Sequence, residues 1–394
     1  MMSKIAKNIV HLGFYHNKED IRIFCKECNT LVKAGYKVSY VTSDIYGDTK
    51  NYEANGVKVY FYSHQNPARN MDIKKKQVFR KKILKREWIE CIVNQIMDLK
   101  PYVLHVHEYE VLFIVKALMK ENPGIKIIYD LHEDNPKHKG EWYRRNGKGE
   151  IKARVIENIV RINENQIIKK SLMVFTATDY LTKIASKYNK NVFTIKNYPK
   201  KDDIYCSNGD LKERDNNYCY SGRITEDRGI SLLIKISSDI KGKFLVAGNI
   251  EEHYCDKLKK EFSDEWEHNV VYRGFLTRWQ VNELYASSVV GLCILQYHPN
   301  YINALPIKLF EYMAAGIPVV CSGFPIWKQI VEEAECGITV DPYDEKMIVN
   351  AINHLLSDRE LAKRMGDNGK KAVKTKYSWE NEEKILLDAY SKFI

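Results

Sequence analysis

The chain has 394 residues, too many for one hydrophobic core of ordinary size, so two domains are expected. Its 44% hydrophobic and 29% charged content is that of a globular protein and excludes a disordered or fibrous chain. A net charge of +11 without a recognisable nucleic-acid module speaks against nucleic-acid binding, and no stretch reaches the roughly 20 apolar residues of a spanning helix.

In chain order, the apolar core of the opening residues is too short for a signal peptide and reads as a first strand over 5–12, so a cytoplasmic location is expected. A loop with Gly13, Glu19, Asp20 and Arg22 leads into a helix over 22–34, followed by strands at 37–42 and 57–62. Nine cysteines, odd in number and scattered, argue against a disulfide framework. Cys25 and Cys28 form a Cys-x-x-Cys pair inside a helical pattern, with no second pair to complete a zinc site, and read as reduced, buried thiols. Residues 73–88 are a basic run interleaved with Val78, Phe79, Ile83, Leu84 and Trp88. Two readings stay open there: a surface resting on anionic lipid, or a solvated helix whose apolar side packs on its domain.

The first half continues with helices at 86–99, 111–120 and 154–169 between strands at 103–106, 126–130, 172–176 and 192–195. Strand and helix in alternation argue for a parallel sheet covered on both faces. One strand end carries Asp130, His132, Glu133 and Asp134, an imidazole beside three carboxylates; another carries His105 and His107. No third ligand is evident by spacing, so His105 and His107 are expected to support the site and not to hold zinc. A polar stretch with proline and glycine over 197–217 marks the boundary between halves. The second half repeats the plan, with strands near 217–221, 243–247, 270–272, 289–293 and 318–321.

The most informative run is Asn303-Ala-Leu305-Pro-Ile307-Lys308-Leu-Phe-Glu311-Tyr-Met-Ala-Ala-Gly316, followed by Ile-Pro-Val-Val320. Pro306 suits a first helical position, Leu309, Phe310 and Met313 share one face, and Gly316 ends the helix. Its start offers unpaired N–H groups beside Lys308, a ready anion site, with Glu311 one turn further in as an acceptor for neutral hydroxyls. An anion next to a hydroxyl acceptor points to a nucleotide diphosphate. Upstream, Gly222, Arg223 and Arg228 follow the first strand of the second half, where two cations can converge on the same diphosphate. Gly-x-Gly-x-x-Gly is absent after the first strand of the chain, which weakens a dinucleotide-dependent dehydrogenase as the rival.

This signature resembles the donor site of bacterial retaining GT-B glycosyltransferases, family 4 or group 1, over most of the chain. The resemblance implies an α/β GT-B fold of two facing Rossmann-like domains with parallel sheets and a cleft between them. Residues 1–199 would form the acceptor domain, 200–376 the nucleotide-sugar domain, and 377–394 a helix crossing back to the first domain. It implies transfer of a sugar from a nucleotide-diphosphate donor, UDP favoured over GDP, to a hydroxyl of a glycan, with a surface polysaccharide such as capsule or O-antigen as product. Arg223, Arg228 and His132 would be catalytic. Gly222, Phe275, Asn303, Leu305, Ile307, Lys308 and Glu311 would bind the donor, and Gly13, Asp20, Arg22 and Glu133 the acceptor.

No cofactor and no metal are expected beyond the nucleotide sugar. A polyprenyl-diphosphate acceptor would suit the basic run. The family's Lys is replaced by Arg228, which keeps the charge, and the first Glu of its Glu-x7-Glu motif by Asn303, which does not. Asn303 keeps a non-catalytic nucleotide-sugar-binding scaffold open as an alternative. So are a GT-B nucleotide-sugar epimerase and a phosphorylase that would need pyridoxal phosphate.

Overall fold

The structure, a computed structural model, describes residues 7–14, 19–43, 50–62, 86–204 and 211–394, with only the backbone of 86–88. The basic run 73–88 therefore lies outside the described residues but for that backbone. The chain divides into two compact units, Met1–Lys196 with Glu382–Ile394, and Asn197–Asn381.

In the first unit eight described strands form one sheet: β1 (Asn8–Leu12), β2 (Lys37–Thr42), β3 (Tyr52–Ala54), β4 (Val57–Phe61), β5 (Val103–His107), β6 (Lys126–Leu131), β7 (Met173–Thr176) and β8 (Val192–Thr194). Their order is β3-β4-β2-β1-β5-β6-β7-β8, parallel throughout except where β3 pairs antiparallel with β4. β5 and β7 are buried on both faces, which is why they read as near-continuous apolar runs. The order reverses direction between β1 and β5, the place where open parallel sheets bind ligands beyond their carboxyl ends.

Two elements differ from the sequence reading in an informative way. The helix read over 22–34 is a π-helical turn, Ile23–Cys28, running into an α-helix, Asn29–Lys33. Its start is fixed by Asp20, whose Oδ1 accepts the backbone N–H of Arg22 and of Ile23, both at 2.8 Å. A π-helical turn is a local departure that sequence periodicity cannot register. A helix, Asn135–Arg145, stands where the sequence pattern gives no element. Its signal is nonetheless present, since Asp134 accepts from Lys137 N–H as N-cap and Pro136 opens the first turn.

In the second unit six described strands run parallel in the order β11-β10-β9-β12-β13-β14. They are β9 (Asn217–Ser221), β10 (Lys243–Ala247), β11 (Val270–Tyr272), β12 (Val290–Cys293), β13 (Val319–Ser322) and β14 (Gly337–Val340). Tyr218, Tyr220, Tyr285, Tyr312 and Trp327 are fully buried in its core. The helix Ile307–Ala315 begins one residue later than expected: Pro306 is extended (ψ 124°) and sits at the cap. Gly316 ends that helix in the left-handed region at φ 71°, as its sequence position implied.

The last helix, Trp379–Phe393, starts in the second unit and from Glu382 onward belongs to the first. There Glu382 Oε2 accepts the Lys196 N–H at 2.7 Å, and Tyr390 stacks on Phe175. Cys28, Cys219, Cys255, Cys293, Cys321 and Cys336 are free thiols. No helix among the described residues is long and apolar enough to cross a membrane.

Candidate functional site

In the second unit the candidate site lies at the carboxyl end of β9. Gly222 follows that strand at φ +133°, a conformation other residues rarely adopt. A β-carbon placed on it would meet Lys308 Nζ at 3.4 Å and Arg228 Nη1 at 3.8 Å. Two cations from different elements thus converge on the space above one glycine. The Lys308 ammonium is buried, has no hydrogen-bond partner, and lies 3.5 Å from the centroid of the Tyr220 ring. Burial pushes it down to about 7, with Arg228 adding to the effect, against opposing pulls from Cys293 and Glu311. A buried cationic group with no anion is an unfilled electrostatic demand, and a diphosphate supplies what it lacks.

Around this centre the other expected donor residues take separate places. Arg223 is exposed in the loop just after Gly222, and its carbonyl accepts from Tyr220 Oη at 2.8 Å. Asn303 ends the short helix Pro299–Ile302, and Leu305 follows it on the loop before Ile307 and Lys308. That loop is anchored by Trp327, whose indole N–H donates to the Ala304 carbonyl at 2.7 Å. Phe275 is 72% exposed beyond β11.

Glu311 is held more firmly than its sequence context showed. Arg278 Nη1 donates to its Oε1 at 2.6 Å, and Tyr285 Oη donates to its Oε2 at 2.9 Å. Each carboxylate oxygen can accept twice, so the clamp orients Glu311 and leaves it capacity for hydroxyls. Sequence reasoning missed Arg278 and Tyr285. The helix that carries both was marked by its capping box, Thr277 with Gln280, but nothing in the spacing aimed it at Glu311.

In the first unit the carboxyl ends of β1, β5 and β6 gather a second constellation. His132 Nε2 lies 2.7 Å from Asp130 Oδ2. Asp130 in turn accepts from Arg22 through both oxygens, at 3.0 and 2.8 Å, and faces His107 Nδ1 at 3.3 Å. Burial alone would push the Asp130 carboxyl up; Arg22, His132 and the hydrogen bond from His107 outweigh it and hold the group well below the usual carboxylate range. The resemblance assigns Arg22 to the acceptor. It is buried instead, engaged by Asp130, by Glu27 at 3.1 Å and by the Ile195 carbonyl at 3.0 Å. Its place is behind His132, not in front of it.

Asp20 likewise spends Oδ1 on the backbone of Arg22 and Ile23. Gly13 closes β1, its carbonyl accepting from Tyr62 Oη at 2.6 Å. Glu133 is exposed and pairs with His138 Nδ1 at 2.8 Å. His105 and His107 are wholly buried, and the fold sets His11 and Glu27 beside them. Those two come from other elements, so no linear spacing could have grouped the four.

Residues 204–372 match the model of glycosyl transferases group 1. An uncharacterized glycosyltransferase of Methanocaldococcus jannaschii is 32% identical over 176 residues, 43% of each chain. The alpha-D-kanosaminyltransferase of Streptomyces kanamyceticus is 22% identical over 279 residues, 66% of this chain and 69% of that one. The chain spans less than half the length of the first curated relatives it matches, 43% and 48%.

Among solved structures, the sucrose-phosphate synthase of Thermosynechococcus elongatus superposes with a TM-score of 0.77 at 17% identity, covering 98% of both chains. HepE of Anabaena, solved with UDP and glucose, gives 0.71 at 12% identity over 98% of this chain and 100% of its own. The chain that carries the matched residues 204–372 has the GT-B fold.

Proposed function

We propose that this protein is a glycosyltransferase that moves a sugar from a nucleotide-diphosphate donor, UDP-linked before GDP-linked, to a hydroxyl of a glycan acceptor with retention at the anomeric carbon. The observation that carries this reading is the convergence of Lys308 and Arg228 above Gly222, with the buried ammonium lacking a partner. The group 1 match over the same residues and the UDP bound by Anabaena HepE support it.

On this reading the donor sits on the second unit. Lys308, Arg228 and Arg223 meet the diphosphate, the start of the helix Ile307–Ala315 adds its free N–H groups, and Glu311 accepts from the ribose. The bond from the sugar's anomeric carbon to the phosphate oxygen breaks as the acceptor oxygen attacks the same face. The departing phosphate takes the acceptor proton while the cations stabilise its charge. The acceptor is assigned to the first unit, near Gly13 and Glu133. His132, held by Asp130, contacts a hydroxyl of the transferred sugar, with Arg22 and Asp20 acting as positioning groups behind it. No cofactor or metal takes part in the transfer step.

A role in surface polysaccharide synthesis fits the capsular glycosyltransferase CapM of Staphylococcus aureus, 28% identical over 181 residues. A cytoplasmic, membrane-peripheral site of action and a polyprenyl-diphosphate acceptor belong to the same proposal, motivated by the basic run 73–88. Asn303 motivates the second reading, a nucleotide-sugar-binding scaffold without transfer.

Calorimetric titration with UDP and GDP, each free and as its sugars, tests the first step. Binding of one nucleotide that is lost in Arg228→Ala supports the donor site, and no binding of any overturns it. With a binding donor in hand, an acceptor screen on wild type, Arg223→Ala and His132→Ala follows. Transfer abolished in both variants supports the enzyme, transfer surviving in both refutes the site, and NMR of the product's anomeric proton reads retention.

A further inference from the structure

The core of the first unit holds a set of side chains that the transfer chemistry does not use. His11 leaves from β1, His105 and His107 from β5, and Glu27 from the π-helical turn Ile23–Cys28. All four are at most 1% exposed. We propose that His11, Glu27, His105 and His107 form a binding site for one divalent transition-metal ion, of which zinc fits the ligand set best, and that the ion is structural.

The geometry is that of a site slightly relaxed from its bound form. One ligand atom from each of the four residues lies within 4.8 Å of every other. His11 Nδ1 is 2.9 Å from His107 Nε2, and Glu27 Oε2 is 3.8 Å from His105 Nε2 and 3.9 Å from His107 Nε2. Four ligands at the zinc–nitrogen distance of about 2.0–2.1 Å in a tetrahedron stand roughly 3.3 Å apart, so these separations bracket the required one. Three imidazole nitrogens and one carboxylate oxygen are the donors that borderline divalent ions such as zinc and cobalt take.

A second observation points independently to a missing ligand. Glu27 Oε2 and His105 Nε2, 3.8 Å apart, are both buried without a hydrogen-bond partner. Native interiors seldom leave buried polar atoms unanswered, and here two face each other in one cluster. The outer nitrogens, by contrast, are answered. His107 Nδ1 lies 3.3 Å from Asp130 Oδ2, and in the tautomer that donates there the Nε2 lone pair turns inward. His105 Nδ1 is 2.8 Å from Tyr390 Oη, which can fix it in the same tautomer. A carboxylate behind a ligating histidine is the usual support of a zinc site.

Arg22 faces Glu27 Oε1 at 3.1 Å. Its charge is matched by the bidentate contact to Asp130, and Oε2 is the Glu27 oxygen turned toward the imidazoles. Ion binding forms coordinate bonds only, and a proton held by a ligand atom leaves to solvent. The ion would tie the π-helical turn to β1 and β5 and, through His107 and Asp130, fix the orientation of His132.

The test is independent of transfer. Wild-type protein is stripped with a chelator, checked for retained fold by circular dichroism, and reloaded with zinc or cobalt. Elemental analysis is expected to find about one ion per chain, and the cobalt form the intense visible absorption of four-coordinate nitrogen and oxygen ligation, both reduced at least tenfold in Glu27→Gln and in His105→Gln. Arg228→Ala, in the other unit, should load as wild type does, so loss of the donor site and loss of the metal site are told apart. Should either ligand variant fail to fold, competition of the wild type against a chromophoric chelator still decides. Folded wild type that takes up less than a tenth of an ion per chain overturns the proposal, as does cobalt absorption typical only of the hydrated ion.

Discussion

Arg278 Nη1 donates to Glu311 Oε1 at 2.6 Å, so the carboxylate assigned to the donor ribose is held by an arginine of the neighbouring helix. Burial pulls the Arg278 guanidinium down, but Glu311 beside it raises it by more. Arg278→Ala leaves Glu311 with Tyr285 alone. A charge-assisted hydrogen bond contributes about 1.5–3 kcal/mol, so UDP affinity is expected to fall roughly tenfold or more, with Arg278→Lys restoring part of it. A double-mutant cycle with Glu311→Gln checks the route, since coupled residues give losses that do not add. Additive losses would mean that Arg278 acts on something other than Glu311.

Gly222→Ala tests the anion cradle with the smallest change available. The new methyl would lie 3.4 Å from Lys308 Nζ, in the space where the cations meet, on a backbone at φ +133°. A strained backbone of this kind costs about 1–3 kcal/mol, which lowers the melting temperature by several degrees and leaves the protein folded. Nucleotide binding should drop out of calorimetric range. Retained binding at the wild-type level would show that the diphosphate does not approach Gly222.

Much of the second unit was legible in the sequence because local signals and tertiary role coincide there. Gly316 must be left-handed to end its helix, Gly222 must follow β9, and Lys308 must sit in a first turn; each requirement is written in a neighbouring residue. The first unit was less legible because its chemistry is assembled across elements. Arg22 reads as a surface cation in a charged loop, yet the fold turns it to Asp130 on β6 and to the Ile195 carbonyl. His11 sits inside an apolar strand and Glu27 inside a helix, so only the alignment of β1 beside β5, His11 opposite His105, brings them together. The π-helical turn that carries Glu27 has no periodic signature.

Lys308 should make nucleotide binding depend on pH with a definite sign. In the free protein burial holds its ammonium at about 7, against the ordinary 10.5. A bound diphosphate favours the charged form, so binding above pH ~7 takes up a proton, and affinity weakens by up to about tenfold per pH unit there. Calorimetry at pH 8 in buffers of different ionisation enthalpy reads that proton directly. For stability the sign is separate: the unfolded chain binds the extra proton between pH 7 and 10.5, so this residue's contribution to stability rises with pH across that window. Lys308→Met should therefore raise the melting temperature of the free protein at pH 7 while removing nucleotide binding. Absence of proton uptake in the wild type would contradict the assignment of Lys308 to the diphosphate.

Glu164 gives the opposite slope in the first unit. It is buried on the helix Glu150–Lys170, and its Oε1 accepts from Tyr129 Oη and from Asn135 Nδ2, both at 2.8 Å. Burial pushes its carboxyl up to about 7 from the ordinary 4.5, outweighing the two hydrogen bonds that favour the charged form. Between those two values the unfolded chain has already released the proton that the folded chain keeps, so stability falls as pH rises from 4.5 to 7. Glu164→Gln retains an oxygen for both donors and carries no charge. It should match the wild type within error near pH 4.5 and exceed it by about 1–3 kcal/mol at pH 8. Denaturant melts of both proteins at the two pH values measure the difference. An advantage equal at both pH values would trace the effect to packing instead of ionisation, and Glu164 would then be an ordinary ionised carboxylate in the folded protein.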